Sequence, residues 1–385
     1  MIRQITRRNV LRASVALACA PIGGWARAAP ATGERLLVLI ELRGGNDGLN
    51  TLVPIDDPNY HRLRPRLALR GEAVVPLGSA SALNASLAPW LPLWGEGELA
   101  ILQGVGYPQP DLSHFRSIEI WDTASASDET VQSGWLTRTA AQSPMFQSAA
   151  ADGVILGAAD LGPFSGGARA VAMTDVQRFA AQSQLAKPGT SGARGALAHL
   201  LRVETDIARA ATQLSATRSF ATEFPRTPFG YAMHQAALIG ASRRVPVVRV
   251  ALNGFDTHQN QLAQHANLLR QVAEGVCALR SALAEAGAWD DTLILTYSEF
   301  GRRPRENGSG GTDHGTAGVQ FALGKRVRGG MYGEPVALDR LDASGNVGYT
   351  LDFRRIYATV LARWWALDSR GALGATFAPV DFLAA

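Results

Sequence analysis

The sequence predicts an α/β fold, a doubly wound and mostly parallel sheet with helices on both faces. Three observations predict it. Apolar runs of strand length recur along the chain. These runs are continuous rather than alternating, as in strands that are buried on both faces. Segments with apolar residues at three- and four-residue spacing, typical of amphipathic helices, separate several of the runs.

The predicted elements follow in chain order. The strands are Leu36–Ile40, Leu99–Val105, Val154–Leu156, Ala170–Met173, Val245–Leu252, Thr292–Thr296 and Val319–Leu323. Helical spacing is clearest over Ala266–Gly287 and Gly195–Ala216. Because no linker or internal repeat is evident, residues 29–385 are predicted to form one domain. The helical stretch 190–240 is a candidate cap or insertion over the sheet.

The first residues carry an export signature. Residues 6–12 read TRRNVLR, a twin-arginine pattern, and a short apolar stretch leads to the small-residue site ARA at 26–28. The stretch is too short and interrupted to span a bilayer. We therefore expect residues 1–28 to direct twin-arginine export to the periplasm or beyond. A basic arm on a cytoplasmic protein, and lipoprotein processing at Cys19 in place of signal peptidase I cleavage, remain alternatives.

Composition excludes several classes of function. The formal charge of +4 falls to −1 without residues 1–28, which hold five arginines and no acidic residue. No basic face is then left to predict nucleic-acid binding. Cys19 is removed with the leader, so Cys277 has no partner for an internal disulfide, and stability must come from a large core. No Gly-Lys-Ser/Thr follows a glycine loop, which argues against a P-loop nucleotide site.

Carboxylates and histidines follow three of the predicted strands. Ligands of α/β sheets gather beyond the carboxyl ends of the strands, so these residues are the candidates for a shared site. They are Asp47, Asp256, His258, Glu299, Asp313 and His314. Such oxygen and imidazole groups bind divalent cations, here Zn²⁺, Mn²⁺, Mg²⁺ or Ca²⁺. A cation would also relieve repulsion of about 4 kcal/mol per carboxylate pair at roughly 4 Å.

The same residues have a structural interpretation. Arg43, Arg302 and Arg303 lie close by in the sequence and could neutralise the carboxylates as ion pairs. His258 could be a hydrogen-bonded loop histidine, and Asp313 a turn residue in a glycine-rich loop. The pair Gly44-Gly45 is typical of a tight turn with positive φ, which also allows backbone to approach a ligand.

A candidate nucleophile precedes a predicted helix. Ser113 lies in the loop after Leu99–Val105, just before the helical segment that begins near Ser117. Free backbone N–H groups and the positive helix end would stabilise an alkoxide there. The alternative is a simple N-cap. Arg116 is the candidate for steadying the leaving charge. The candidate substrate-binding residues are Asn46, His114 and Arg302.

These motifs together resemble a known family. The segments are LIELRGGNDGLNTLVP, SHFRSIEIWDTA, GFDTHQNQ, LTYSEFGRRPRENGSGGTDHG and YTLDFRRIYATVLARWW. With the twin-arginine leader, they resemble the exported bacterial proteins of the Domain of Unknown Function 1501 family over nearly the whole mature chain. That family is similar in fold to the alkaline phosphatase and sulfatase superfamily. The resemblance implies strand ends that hold one or two divalent metals, with a Ser, Thr or modified Cys at a helix start attacking phosphorus or sulfur.

The resemblance implies roles by position. Asp47 matches the first-strand metal aspartate, and Ser113 falls where the nucleophile loop should be. The metal-binding pairs would be Asp256 with His258 and Asp313 with His314. Two features depart from the superfamily pattern. Only Thr257 separates the middle pair, and Ser298-Glu299-Phe300 replaces an Asp-His after the next strand. No Cys-x-Pro-x-Arg signature is present, so formylglycine chemistry is not expected.

The resulting functional prediction is an exported, metal-dependent hydrolase of phosphate or sulfate esters. Its substrate would be an anionic ester, small or borne on a polymer. The alternative is a catalytically degenerate binding or assembly protein on the same scaffold. A third interpretation comes from Gly44-Gly45-Asn46-Asp47, which is similar to the Gly-x-Asn-Asp block of serine esterases. That class needs a serine on an earlier strand, and only the leader precedes this block.

Overall fold

The computed structural model describes residues 35–78, 80–185 and 218–384. Its strands are β1 (Leu36–Arg43), β2 (Leu52–Val53), β3 (Val74–Pro76), β4 (Ala82–Asn84), β5 (Leu99–Gly106), β6 (Gly153–Leu156), β7 (Ala170–Ala172), β8 (Val247–Asn253), β9 (Thr292–Tyr297), β10 (Arg302–Glu306), β11 (Thr312–His314), β12 (Gly318–Leu323), β13 (Gly330–Tyr332) and β14 (Leu351–Asp352). Its helices are α1 (Pro58–Leu63), α2 (Leu91–Gly95), α3 (His114–Thr123), α4 (Trp135–Gln142), α5 (Pro144–Ser148), α6 (Val176–Leu185), α7 (Pro228–Ser242), α8 (Gln261–Glu285), α9 (Phe353–Thr359) and α10 (Arg370–Leu373). A π-helical turn, Val360–Trp364, follows α9.

The main sheet has the strand order β13-β5-β12-β9-β1-β8-β6-β7, with β14 also paired to β5. Most neighbours are parallel, including β1 with both β8 and β9. The exception is β12, which runs antiparallel to β5 and β9. The predicted class, a mostly parallel α/β sheet, is therefore confirmed. Two smaller units accompany it, the antiparallel sheet β2-β4-β3 and the hairpin β10-β11.

The side chains of β1 show why the sheet is covered on both faces. Leu36, Val38 and Ile40 enter one core, which includes residues of α7 and α8. The alternate residues Leu37 and Leu39 enter a second core, with residues of α3, α4 and α9. Because successive side chains of a strand point to opposite faces, a strand buried on both must be apolar throughout. That requirement explains the continuous run of β1.

All seven predicted strands are present, each with ends within three residues of the prediction. The predicted helix Ala266–Gly287 is α8, which begins five residues earlier, directly after Asn260 in a left-handed conformation. The leader, the predicted helix Gly195–Ala216 and most of the stretch 190–240 lie outside the described residues. Within that stretch, α7 lies against β8 and α8 on one face of the sheet. In the described part of the chain, no helix has the length and apolarity needed to cross a membrane.

Candidate functional site

Three neighbouring parallel strands deliver their following loops to one edge of the sheet. In the register of the sheet, Arg43 at the end of β1 is opposite Asn253 at the end of β8. Tyr297, the last residue of β9, pairs with Glu41 of β1. The loops after β1, β8 and β9 therefore start side by side. Most of the candidate residues therefore lie in loops that start at the carboxyl edge of the sheet, where the site was predicted.

Gly44 allows two of these loops to touch. Its φ is +116°, and a Cβ atom at this position would lie 2.2 Å from the backbone nitrogen of Asp256. Only glycine combines this conformation with such a close approach. The amide of Phe255 also donates to the carbonyl oxygen of Arg43 at 2.9 Å. The glycine turn after β1 therefore fixes where the loop after β8 places Asp256.

Three imidazole rings surround the carboxylate of Asp256. Nε2 of His258 lies 3.0 Å from Oδ1 of Asp256, and Nε2 of His314 lies 3.2 Å from the same oxygen. Nε2 of His114 lies 3.5 Å from Oδ2. The Nε2 atoms of His258 and His314 are 3.0 Å apart. We name His114, Asp256, His258 and His314 the histidine cluster.

The outer ring nitrogens of His114 and His314 contact oxygen acceptors. Nδ1 of His314 lies 2.8 Å from the carbonyl oxygen of Leu112, and Nδ1 of His114 lies 2.8 Å from Oε1 of Glu299. A carbonyl oxygen can only accept, so Nδ1 of His314 carries the hydrogen. The carboxylate of Glu299 imposes the same tautomer on a neutral His114. When both rings are neutral, this tautomer leaves a lone pair on each Nε2.

Asp313 lies beside the outer ring nitrogen of His258, as Glu299 lies beside that of His114. Its Oδ1 lies 3.5 Å from Nδ1 of His258, and both side chains are about half exposed. The same oxygen accepts from Nδ2 of Asn307 at 3.2 Å. The three rings thus share one arrangement, with Nε2 inward and an oxygen beside Nδ1. Outer oxygens of this kind are what metal-bound histidines have in proteins.

Arg302 fixes the carboxylate at the centre. Its Nη2 donates to Oδ1 of Asp256 at 2.6 Å, while other donors reach the carbonyl oxygens of Gly45 at 2.9 Å and Thr312 at 2.8 Å. Burial raises the pKa of Asp256, but the hydrogen bond and charge of Arg302, with smaller effects from His258 and His314, bring it below its usual value. Asp256 is therefore ionised at neutral pH.

The pKa values of His114 and His314 are shifted in opposite directions. The hydrogen bond to Glu299 raises the pKa of His114 against the effect of burial, and the negative charges of Glu299 and Asp256 add to it. Burial lowers the pKa of His314, and the positive charges of Arg302 and His114 lower it further, despite the bonds to Leu112 and Asp256. The pKa of His314 thus lies below its ordinary value, which favours the neutral ring that a metal ligand must have.

The histidine cluster fits a divalent metal. The ligand atoms of His114, Asp256 and His314 all lie within 4.8 Å of one another. Imidazole nitrogens with one carboxylate are typical ligands of Zn²⁺ and other first-row transition metals. The residues present can supply a metal's ligands and the outer oxygens that orient them.

Asp47 does not join the histidine cluster. It is fully buried, and its carboxylate accepts two bonds from Arg64, at 2.6 Å to Oδ2 and 2.9 Å to Oδ1. Gln261 donates to Oδ2, and the amide of Leu49 donates to Oδ1 at 3.2 Å. The sequence predicted Asp47 as a ligand of the shared cation. Its placement corrects this, because Arg64 already neutralises the carboxylate inside the protein.

Glu299 also differs from its predicted role as a metal ligand. It is 5% exposed, and Oε1 accepts from the amide of Gly44 at 2.8 Å as well as facing His114. Both Glu299 and Asp313 contact the outer nitrogen of a histidine rather than the centre of the histidine cluster. They therefore lie beside two of the candidate ligands, and metal ligation by Glu299 and Asp313 stays a prediction.

Three residues with predicted catalytic or substrate-binding roles are engaged within the fold. Arg302 has a fully buried side chain. Arg116 donates to carbonyl oxygens of the loop 126–129 and pairs with Glu119 at 3.0 Å. Asn46 is 2% exposed and contacts Thr51 and His265. The predicted contacts with substrate do not match these placements.

Ser113 occupies the N-cap position of α3, and its side chain makes no capping hydrogen bond. The residue is exposed, and its amide donates to Oδ1 of Asp111 at 2.7 Å. The simple N-cap interpretation therefore explains the position of Ser113 but gives its hydroxyl no partner in the cap. The next residue, His114, belongs to the histidine cluster.

Two residues of this region, His114 and Arg64, have contacts that the sequence did not predict. His114 was assigned to substrate binding, although its place directly after Ser113 was a signal that it could join the candidate site. Arg64 carried no such signal, because it lies 17 residues from Asp47, at the end of the short helix α1. Neither a motif nor a periodicity marks that pairing.

Comparisons with known proteins give one matching family model and several solved structures of low sequence identity. A family model described as "Protein of unknown function (DUF1501)" matches residues 70–373. No curated protein gives a significant match. The PsFucS1 sulfatase from Pseudoalteromonas sp. is 11% identical, with 91% of this chain and 72% of that chain covered and a TM-score of 0.40. The alkaline phosphatase from the Antarctic bacterium TAB5 is 12% identical, with 78% and 94% covered and a TM-score of 0.36. The phosphonate monoester hydrolase of Agrobacterium radiobacter is 10% identical, with 89% and 78% covered and a TM-score of 0.40.

Proposed function

The chain belongs to the family described as "Protein of unknown function (DUF1501)", and we propose that it is a metal-dependent hydrolase of phosphate or sulfate esters. One observation carries the proposal. The Nε2 atoms of His114, His258 and His314 face an ionised Asp256, and an oxygen lies beside each outer ring nitrogen. This arrangement supports cation binding at a place that solvent can reach, since Asp256 is 47% exposed.

The histidine cluster would hold the cation. A site with several imidazole ligands favours Zn²⁺ over Mn²⁺, Mg²⁺ and Ca²⁺, which are better suited to oxygen ligands. When bound, the metal would supply Lewis-acid stabilisation of the charge on the ester oxygens. Arg302 contributes by holding Oδ1 of Asp256 while leaving Oδ2 to face His114.

Ser113 is the proposed nucleophile. Its side chain is exposed and not used in capping, and it lies at the positive end of the ten-residue helix α3. Oγ would form a bond to phosphorus or sulfur as the bond to the ester oxygen breaks. The departing alcohol takes up a proton, and the serine hydroxyl proton passes to solvent. Water then releases phosphate or sulfate and restores the hydroxyl group.

Elemental analysis with matched variants tests the proposal. We expect the purified protein to hold a stoichiometric transition metal and to hydrolyse 4-nitrophenyl phosphate or 4-nitrophenyl sulfate. His314→Ala should lose both properties, whereas His234→Ala, a half-buried histidine beside Phe224, should keep both. Ser113→Ala should retain the metal and lose turnover.

Other outcomes contradict parts of the proposal. A folded protein that takes up no metal after reloading would favour the alternative, a binding or assembly protein. Metal without turnover of either ester would reject the hydrolase. Turnover by Ser113→Ala at the wild-type rate would reject the serine nucleophile and leave a water molecule as the attacking group.

We also propose that the protein is exported through the twin-arginine route, on the strength of residues 1–28. The measurement is fractionation of a bacterial host that expresses the full chain. The double variant Arg7→Lys/Arg8→Lys should keep the protein inside the cell, with unchanged expression. Equal amounts of wild type and variant in the periplasm would reject this route.

A further inference from the structure

The segment after β9 places a buried carboxylate behind one ring of the histidine cluster. Glu299 is 5% exposed, and its Oε1 lies 2.8 Å from Nδ1 of His114. Nε2, on the other side of the same ring, lies 3.5 Å from Oδ2 of Asp256. The imidazole ring of His114 therefore stands between Glu299 and the centre of the histidine cluster.

Both oxygens of Glu299 already face hydrogen-bond donors of the protein. Oε1 accepts from the backbone amide of Gly44 at 2.8 Å, in addition to its contact with His114. Oε2 accepts from the hydroxyl group of Ser298 at 3.3 Å. These donors hold the carboxylate on the outer side of the ring. Its placement suits an acceptor for Nδ1 better than a ligand of a metal at Nε2.

The backbone of Glu299 is fixed to the helix that carries His114. Its carbonyl oxygen accepts from Nε1 of Trp121 at 2.7 Å and from the hydroxyl group of Ser117. Both donors belong to α3, whose first residue is His114. Trp121 is 2% exposed and Ser117 is fully buried, so these bonds are shielded from water. The same residue therefore sets the position of α3 and contacts its first side chain.

Phe300, the next residue, packs against two rings of the histidine cluster. Its ring centroid lies 4.9 Å from that of His114 and 4.6 Å from that of His314. Packing against the rings limits their tilt but leaves a half-turn about the Cβ–Cγ bond. For His114, that half-turn would exchange Nδ1 for a ring carbon, which cannot replace the N–H donor to Glu299. The hydrogen bond to Glu299 therefore selects one of two ring orientations.

We propose that Glu299 is a positioning residue, which holds His114 through Nδ1 and keeps Nε2 directed toward the metal. Nδ1 must carry the hydrogen to donate to the carboxylate, so Nε2 keeps the lone pair that a metal requires. This inference rests on the proposed function, because it gives Glu299 a part in metal binding without direct ligation.

Substitutions at position 299 separate positioning from ligation. Glu299→Gln keeps an acceptor at Oε1 and loses the charge, whereas Glu299→Leu removes the acceptor. The affinity of the full chain for Zn²⁺ is measured by competition with a chromophoric chelator. We expect Glu299→Leu to weaken it about 10–100-fold and Glu299→Gln less than about tenfold, while His114→Ala loses stoichiometric binding. With Co²⁺ in place of Zn²⁺, the visible spectrum of Glu299→Gln should match wild type, because the ligands are the same.

The metal-free protein gives a second readout. Nitrogen NMR of isotope-labelled histidines, at about pH 9 where the rings are neutral, reports which ring nitrogen carries the hydrogen. We expect the hydrogen of His114 on Nδ1 in wild type and in Glu299→Gln. Glu299→Leu should show a mixture of both tautomers, because nothing then holds the hydrogen at Nδ1.

Glu98 offers a matched control at a distant place. It is 2% exposed, and its carboxylate accepts from Nζ of Lys325 at 2.7 Å and from Nε1 of Trp289 at 3.0 Å. Glu98→Gln and Glu98→Leu should change stability in denaturant unfolding but leave zinc affinity and the His114 tautomer as in wild type. This control accounts for the loss of a buried glutamate as such.

The results separate this inference from the proposed function. Wild-type zinc affinity in Glu299→Leu, or an unchanged His114 tautomer, overturns the positioning role. Loss of zinc by Glu299→Gln as complete as by His114→Ala would make Glu299 a ligand and also overturn it. If wild type takes up no metal, the hydrolase is rejected, and the tautomer in the metal-free variants still supports or overturns the role of Glu299. Should Glu299→Leu not fold, Glu299→Asp replaces it, because the shorter side chain cannot keep both contacts of Oε1.

Discussion

Replacing Asp47 by Asn distinguishes a structural from a metal-binding aspartate. Asp47 and Arg64 are both fully buried, and two bonds of 2.6 and 2.9 Å join them. In the variant, the new amide N–H₂ faces donors of Arg64 and Gln261, and the guanidinium loses its buried counter-charge. Breaking one partner of such a pair costs about 3–5 kcal/mol. We expect the free energy of unfolding to fall by that amount while metal content is unchanged.

The pH dependence of stability offers a second measure of Asp47. Burial raises its pKa, but the charge and hydrogen bonds of Arg64 bring it below the usual value. A group with a lowered native pKa stabilises the fold above its unfolded pKa of about 4 and loses that effect as the pH falls. Asp47→Asn should therefore reduce the acid sensitivity of unfolding below about pH 4.

The assay combines denaturant unfolding with elemental analysis. Asp256→Asn is the counterpart in the histidine cluster and should lose the metal. Asp339→Asn, whose side chain is 69% exposed, is the control and should change neither property. The reasoning is refuted if Asp47→Asn unfolds like wild type but loses its metal. That result would make Asp47 a ligand despite its pairing with Arg64.

Three further substitutions follow from the same contacts. Gly44→Ala should lower both metal content and stability, because its Cβ would lie 2.2 Å from the nitrogen of Asp256; full metal content would contradict this. Arg249→Met should lower stability in denaturant unfolding, because buried Glu41 then keeps only Arg43 as a partner, and an unchanged unfolding midpoint would contradict that loss. Burial lowers the pKa of His265 to about 4, so stability should fall by about 3 kcal/mol between about pH 6.5 and 4. His265→Gln should abolish that slope, and a slope equal to wild type would reject this explanation.

Much of the fold could be predicted because burial leaves a direct trace in composition. The strands at the centre of the sheet are buried on both faces, and β1, β5 and β9 therefore consist of nearly unbroken apolar runs. Helix starts were predicted less well. The apolar spacing of α8 begins near Ala266, but a left-handed Asn260 sets the true start at Gln261. Backbone conformation at one residue carries no periodic signal.

The location of the candidate site at the carboxyl edge of the sheet could be predicted from the sequence. The set of residues available as ligands could not. Parallel strands place their following loops together, which correctly brought Asp256, His258 and His314 to one place. Which carboxylate remains available depends on partners far away in the chain. Arg64 reaches Asp47 from α1, and Glu299 faces His114 across 185 residues. Contacts of this kind depend on side-chain packing, which no local motif encodes.

The arginine partners of Asp47 and Asp256 distinguish the roles of these two carboxylates. Arg64 donates to both oxygens of the fully buried Asp47, which agrees with a structural role for this carboxylate. Arg302 reaches only Oδ1 of Asp256, and Oδ2 remains near His114 with the side chain half exposed. A carboxylate held at one oxygen keeps its orientation and a free oxygen, which is the requirement for a metal ligand. The glycine turn after β1 therefore contributes to the histidine cluster mainly through Gly44, which allows the close approach of Asp256. Asp47, in the same loop, contributes less.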